Sequence, residues 1–100
     1  VRVGRILVVG LATVTLVLPV ADSLKAKRSV VKQVTARVRA RFNVAVAEID
    51  DHDAWQRATL GIAVVSTDGA HARSVLEKAV RFIEDERLDL DLIDYRVELL

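Results

Sequence analysis

The chain has 100 residues, 52% of them hydrophobic and 29% charged, which is one domain's worth of sequence with a thin single core. Fifteen Lys and Arg against fourteen Asp and Glu leave a net charge of +1, excluding both a basic protein that wraps nucleic acid over its whole surface and an acidic disordered tail. Without a cysteine there is no disulfide framework, thiol nucleophile, zinc ribbon or iron–sulfur site, and the two histidines would need carboxylates or a second subunit to complete an imidazole-rich metal site.

Arg2 and Arg5 precede an uncharged run from Ile6 to Ala21, the outline of a signal peptide. The run is nevertheless rich in β-branched residues (Ile6, Val8, Val9, Thr13, Val14, Thr15, Val17), which favour a strand. Its later half alternates, with Val14, Leu16 and Leu18 against Thr13 and Thr15. It is also short for a transmembrane helix, which needs about 20 apolar residues. A first strand closed by Pro19 is therefore expected, with the cytoplasm as the default compartment and no membrane partner.

Asp22 and Ser23 offer N-cap oxygens for a helix. Leu24, Val31, Val34, Val38 and Phe42 then recur at helical spacing, and Asn43 stops the pattern. Val44 to Asp50 alternates as a strand, with Val44, Val46, Glu48 and Asp50 on one face. Asp51-His52-Asp53 reads as a turn. Trp55 to Thr67 forms a second long strand, with Leu60, Ile62 and Val64 on one side, ended by Asp68-Gly69. A second helix is predicted from Ala70 to Asp85 on Ala72, Val75, Leu76, Ala79, Val80 and Ile83. The last strand, Leu90 to Leu99, places Ile93, Tyr95, Val97 and Leu99 inward and Asp94, Arg96 and Glu98 outward. The order β-α-β-β-α-β with right-handed crossovers predicts an α+β, ferredoxin-like domain over residues 1–100. Its four-stranded antiparallel sheet carries both helices on one face.

The other sheet face then holds Val9, Leu11, Thr13, Ala45, Ala47, Ile49, Thr59, Gly61, Ala63 and Val65. It is apolar, built of small residues, and lacks the aromatics with which RNA-recognition sheets stack bases; the chain's four aromatics are Phe42, Trp55, Phe82 and Tyr95. Such a face is expected to bury itself against a second copy as a homodimer.

Lys25, Lys27, Arg28, Lys32, Arg37, Arg39 and Arg41 put seven positive charges and no negative one on the first helix. At about 100° per residue, Lys25, Arg28, Lys32 and Arg39 fall within roughly 60° of arc. Such a stripe can follow a phosphate backbone, with strong salt dependence. A solvated basic face paired with acidic neighbours fits the same pattern. Glu48, Asp50, Asp51, His52 and Asp53 form an acidic turn whose oxygens suit a hard divalent cation. No second cluster completes a catalytic site, and pairing with the basic helix is the simpler expectation. Trp55 is expected to anchor a strand end or an interface, and Arg57 to hold a carboxylate of the turn or assist a phosphate. No Gly-x-Ser-x-Gly and no glycine-rich phosphate loop is present.

Three segments together resemble the YlxP-like family of small bacterial proteins of unknown function. They are Ser23-Leu24-Lys25-Ala26-Lys27-Arg28-Ser29-Val30-Val31, Phe42-Asn43-Val44-Ala45-Val46-Ala47-Glu48 and Asp53-Ala54-Trp55-Gln56-Arg57-Ala58-Thr59-Leu60-Gly61. The resemblance implies a ferredoxin-like fold, no established enzyme activity and no catalytic residues or cofactor. It also implies genes that adjoin those of a translation initiation factor and a ribosome-binding factor in many bacteria. The sequence thus leads to the expectation of a non-enzymatic protein that contacts structured or ribosomal RNA through Lys25, Lys27, Arg28, Lys32, Arg39 and Arg57. The competing expectations are an assembly module that docks an acidic partner and a metal-dependent enzyme at the acidic turn.

Overall fold

Strand β1 (Val8–Val17) leads into helix α1 (Leu24–Arg41), the short strand β2 (Ala45–Asp50), strand β3 (Arg57–Ser66), helix α2 (Gly69–Glu86) and strand β4 (Asp91–Leu99). The computed structural model describes residues 7–86 and 89–100. The start of the uncharged run, at Ile6, lies outside the described residues; from Val8 onward the run is the central strand β1, as its β-branched content predicts.

The sheet order is β2-β3-β1-β4, with every pairing antiparallel. Along β1 and β3 burial alternates residue by residue. Val14 lies opposite Leu60, Ala12 opposite Ile62 and Leu16 opposite Ala58. All six are buried on the helix side. Val31, Val34 and Val38 of α1, and Ala72, Leu76, Ala79, Val80 and Ile83 of α2, close the core over them. The architecture is the expected β-α-β-β-α-β domain with both helices on one sheet face.

Local chemistry sets the helix ends. Ser23, in extended backbone, accepts a hydrogen bond from the Ala26 N–H at 3.0 Å, the N-cap that satisfies one orphan donor of α1. The Phe42 N–H returns to the Val38 carbonyl at 2.9 Å. Asp68 performs the same service for α2, its Oδ1 accepting from Ala70 N at 3.1 Å. Gly10 lets α2 approach β1 closely: a Cβ there would stand 2.8 Å from Leu76 Cδ1 and 3.1 Å from Val64 Cγ1.

Two bulges change the phase that simple alternation predicts. The β1–β4 register shifts between Thr15 and Leu16, so Asp94 faces Thr15 and Leu92 faces Leu16, with Ile93 left over. Ile93 is consequently 52% exposed rather than inward, and Leu92 packs against the core in its place. Tyr95 does share the face of Val14, yet it stays 47% exposed because β4 is an edge strand. The second shift lies between Glu48 and Asp50 in β2. Glu48 pairs with Leu60 and looks toward the helices, whereas Asp50 pairs with Thr59 and belongs to the opposite face. Glu48 and Asp50 therefore do not share a face, because the extra residue of a bulge restarts the alternation.

Candidate functional site

Val31, Val34 and Val38 direct one side of α1 into the core, and Lys27 joins them with 0% exposure. Successive residues turn by about 100°, so this buried line fixes where every other charge on the helix must lie. Lys25, Arg28, Lys32 and Arg39 are exposed along one flank. Arg39 locates that flank: its Nη2 donates to the Val46 carbonyl of the edge strand β2 at 2.6 Å. The stripe thus runs above β2, and Arg39 covers one backbone acceptor that a sheet edge would otherwise present to another chain. Among the described residues none of Lys25, Arg28 and Lys32 has a carboxylate within ion-pairing distance. The negative neighbours expected for a merely solvated basic face are missing there.

Lys27 is a correction to the phosphate-contact set. Its ammonium donates to Glu48 Oε2 at 2.5 Å, to the Asp51 carbonyl at 2.8 Å and to the His52 carbonyl at 3.2 Å. An ammonium has three N–H donors, and all three are spent inside the protein. Glu48, which plain alternation from Val46 turns toward the helices, supplies the counter-ion, and the acidic turn supplies the two carbonyls. A buried charge needs this degree of pairing to be tolerated. Lys27 is a lock between α1, β2 and the turn, unable to reach a phosphate.

The turn is organised around Asp51. Its φ of 62° is left-handed, a conformation that Asp tolerates better than most side chains. Its carboxylate accepts from Thr59 Oγ1 at 2.7 Å and from Arg57 Nε at 3.2 Å. The Thr59 hydroxyl above all, helped by the Arg57 guanidinium and Lys27, holds this carboxyl below its ordinary value against the opposing effect of desolvation. Asp50 accepts from the Asp51 N–H at 2.8 Å. His52 and Asp53 are exposed. Among the described residues no three His, Asp or Glu side chains gather as a metal ion would need.

The tripeptide after the turn divides its labour. Trp55 is 55% exposed. Gln56, which sequence reasoning missed, ties down the connection from β1 to α1. Its side-chain amide donates to the Pro19 and Ala21 carbonyls at 3.1 and 3.3 Å, and its own carbonyl accepts from Leu18 N at 2.9 Å. A long-range amide contact of this kind leaves no local pattern. Arg57 holds Asp51, as expected from its place beside the acidic turn, and the ion pair is half-open to solvent.

On the far side of the sheet, Ile49 and Val65 are exposed, and β2 and β3 frame a shallow apolar hollow of about 260 Å³ lined by Ala45, Ala47, Ile49, Gly61 and Ala63. Gly61 leaves room for Ile49, whose Cγ2 would lie 3.0 Å from a Cβ there. Thr13, Thr15, Asp94 and Arg96 line a polar hollow on the β1–β4 side.

A family model described as protein of unknown function (DUF503) matches residues 9–97. Uncharacterized protein YlxP of Bacillus subtilis (strain 168) is 38% identical over 76 residues, covering 76% of this chain and 83% of the relative. Among solved structures, a de novo designed protein with a ferredoxin fold, determined by solution NMR, aligns over 93% of this chain and 82% of its own, with a TM-score of 0.46 and 18% identity.

Proposed function

We propose that this chain, which belongs to the DUF503 family of proteins of unknown function, is a non-enzymatic cytoplasmic protein that binds structured RNA along the outer flank of α1 and pairs with a second copy through the open face of its sheet. The observation that carries the RNA reading is the run of exposed Lys25, Arg28 and Lys32, without a carboxylate partner among the described residues. Helical spacing puts these groups one turn apart, a separation of about 5.4 Å along the axis, which suits the phosphates of a nucleic-acid backbone. Arg39 closes the far end of the stripe, its guanidinium shared with the Val46 carbonyl. Arg57 assists from the start of β3 while holding Asp51. Phosphates position a protein on RNA without reading its sequence, so shape rather than base identity is the recognised feature. No helix among the described residues is long and apolar enough to cross a membrane.

The test is binding to bulk RNA and to small and large ribosomal subunits over a salt series, with Lys25→Glu, Arg28→Glu and Lys32→Glu combined. The expected result is saturable binding that weakens steeply with salt, since each neutralised phosphate releases counterions. The triple variant should bind roughly a hundredfold more weakly at low salt, about 1 kcal/mol per reversed charge, with unchanged thermal unfolding. Unaltered binding by that variant sinks the RNA reading. Capture of an acidic protein that survives nuclease treatment, with no RNA bound at low salt, would replace it by a docking module.

A further inference from the structure

A second cationic surface lies on the opposite flank of α1, where the helix meets α2. Arg41, Phe42, Lys78, Arg81, Phe82 and Asp85 line an open groove of about 570 Å³, continued by a hollow of about 380 Å³ that adds Arg37 and Ala40. The two rings meet edge to face, with centroids 5.7 Å apart and planes at 78°. The Arg41 guanidinium lies 5.6 Å from the Phe82 ring centre. Four cations therefore surround an aromatic floor, with Asp85 the sole acid among the described lining residues.

Part of this charge has a simpler cause. Arg41 occupies the last turn of α1, where cations complement the negative end of the helix. That explanation does not reach Lys78 and Arg81, which lie before the last turn of α2; that turn contains no basic residue. Both are exposed, and among the described residues neither they nor Arg41 has a carboxylate within ion-pairing distance. Unspent cations at a groove call for an anion. The groove also offers an exposed guanidinium plane beside the half-buried Phe42 and Phe82, which suits an aromatic ring, since flat bases stack on Arg and Phe alike. Its size falls within the range of small-molecule sites, about 300–1,000 Å³.

We infer that the groove between the carboxyl-terminal half of α1 and α2 binds a nucleoside polyphosphate, its phosphates on Lys78 and Arg81 and its base against Arg41 and Phe82. The phosphates account for the two cations that α2 presents to the groove, and the base accounts for the guanidinium held over a ring. The site is separate from the Lys25–Arg28–Lys32 stripe, which occupies the β2 side of the same helix.

Calorimetric titration of the full chain with ATP and GTP tests the inference, with tripolyphosphate and adenosine as parallel probes. ATP or GTP should bind in the sub-millimolar range, with tripolyphosphate and adenosine each roughly tenfold weaker. Lys78→Glu with Arg81→Glu should weaken nucleotide binding tenfold or more, about 1.4 kcal/mol or greater. Phe82→Leu should erase the advantage of ATP over tripolyphosphate. If Phe82→Leu fails to fold, Arg41→Gln, at an exposed position, makes the same comparison. No binding of either nucleotide at millimolar concentration overturns the site. Tripolyphosphate bound as tightly as ATP, or full binding by the Lys78/Arg81 variant, overturns it as well.

Discussion

Lys27 shows how one side chain can carry the meaning of a whole segment. In the sequence it is one of seven cations on a basic helix; in the fold it is the largest of the fully buried side chains. Its three acceptors come from β2 and from two consecutive residues of the acidic turn, so a single ammonium fastens helix, strand and turn together. Removing one partner of a buried ion pair strands the other charge, which costs more than the pair contributes. Lys27→Ala should therefore lower unfolding free energy by about 3 kcal/mol, and Lys27→Met with Glu48→Leu should recover most of that loss. Chemical denaturation of the two variants and the parent measures both effects. A loss below about 1 kcal/mol in Lys27→Ala would show that the lock carries little of the stability. Arg28 stands next to Lys27 and is exposed. Neighbouring cations on this helix thus have opposite roles, because consecutive residues on a helix point about 100° apart.

At the scale of elements, the contact between α2 and β1 is the tightest constraint. Gly10 lies opposite Val64 in the sheet and under Leu76 and Ala72 of α2. A methyl group there meets fully buried Leu76, which has little room to withdraw in a close-packed interior. Gly10→Ala should destabilise the protein by about 1–3 kcal/mol through overpacking. The companion Leu76→Val should relieve part of that cost in the double variant, as coupled neighbours do. Thermal unfolding of the two single variants and the double one provides the readout; additive losses would mean that the helix shifts as a body instead of Leu76 yielding. The bulges act at this same scale. In β2 plain alternation from Val46 brings Glu48 to Lys27, and the register shift that follows sends Asp50 away, so one extra residue dismantles the paired-carboxylate face that alternation predicts.

For the whole molecule, the two layers leave one sheet face without a covering element among the described residues. Thr13, Ala47, Gly61 and Ala63 keep it low and flat, while Ile49 and Val65 stand exposed at its margins. A surface of this kind lets a second sheet approach closely, and the proposed pairing predicts a concentration-dependent dimer. Ala63→Glu would place a charge at the centre of that contact. The variant should sediment as a folded monomer where the parent sediments as a dimer, and a parent that stays monomeric at high micromolar concentration would remove the pairing from the proposal. The two basic surfaces flank α1 on its β2 and α2 sides, so neither is covered when the sheet face is occupied.

The element order, both helices, the core faces of β1 and β3 and the Ser23 cap were legible in the sequence. They rest on short-range rules: the strand period of two, the helix period near 3.6 and the capping oxygen just before the first turn. The apolar character of the open face followed from the same alternation, as did the stripe of Lys25, Arg28, Lys32 and Arg39. What periodicity could not supply was any feature created by residues distant in the chain. The burial of Lys27 depends on Glu48 and the turn 21 to 25 residues later. The outward turn of Ile93 depends on a register shift against β1, and the clamp of Gln56 on the Pro19 and Ala21 carbonyls spans more than thirty residues. The groove at Arg41, Lys78, Arg81 and Phe82 exists only because α1 and α2 pack side by side. Sequence by itself determined the elements and their apolar faces, because backbone geometry and hydrophobic burial act locally and repeat. Tertiary structure alone decided which charges are spent inside the protein and which stay exposed, because that depends on the acceptors folding brings within about 3 Å.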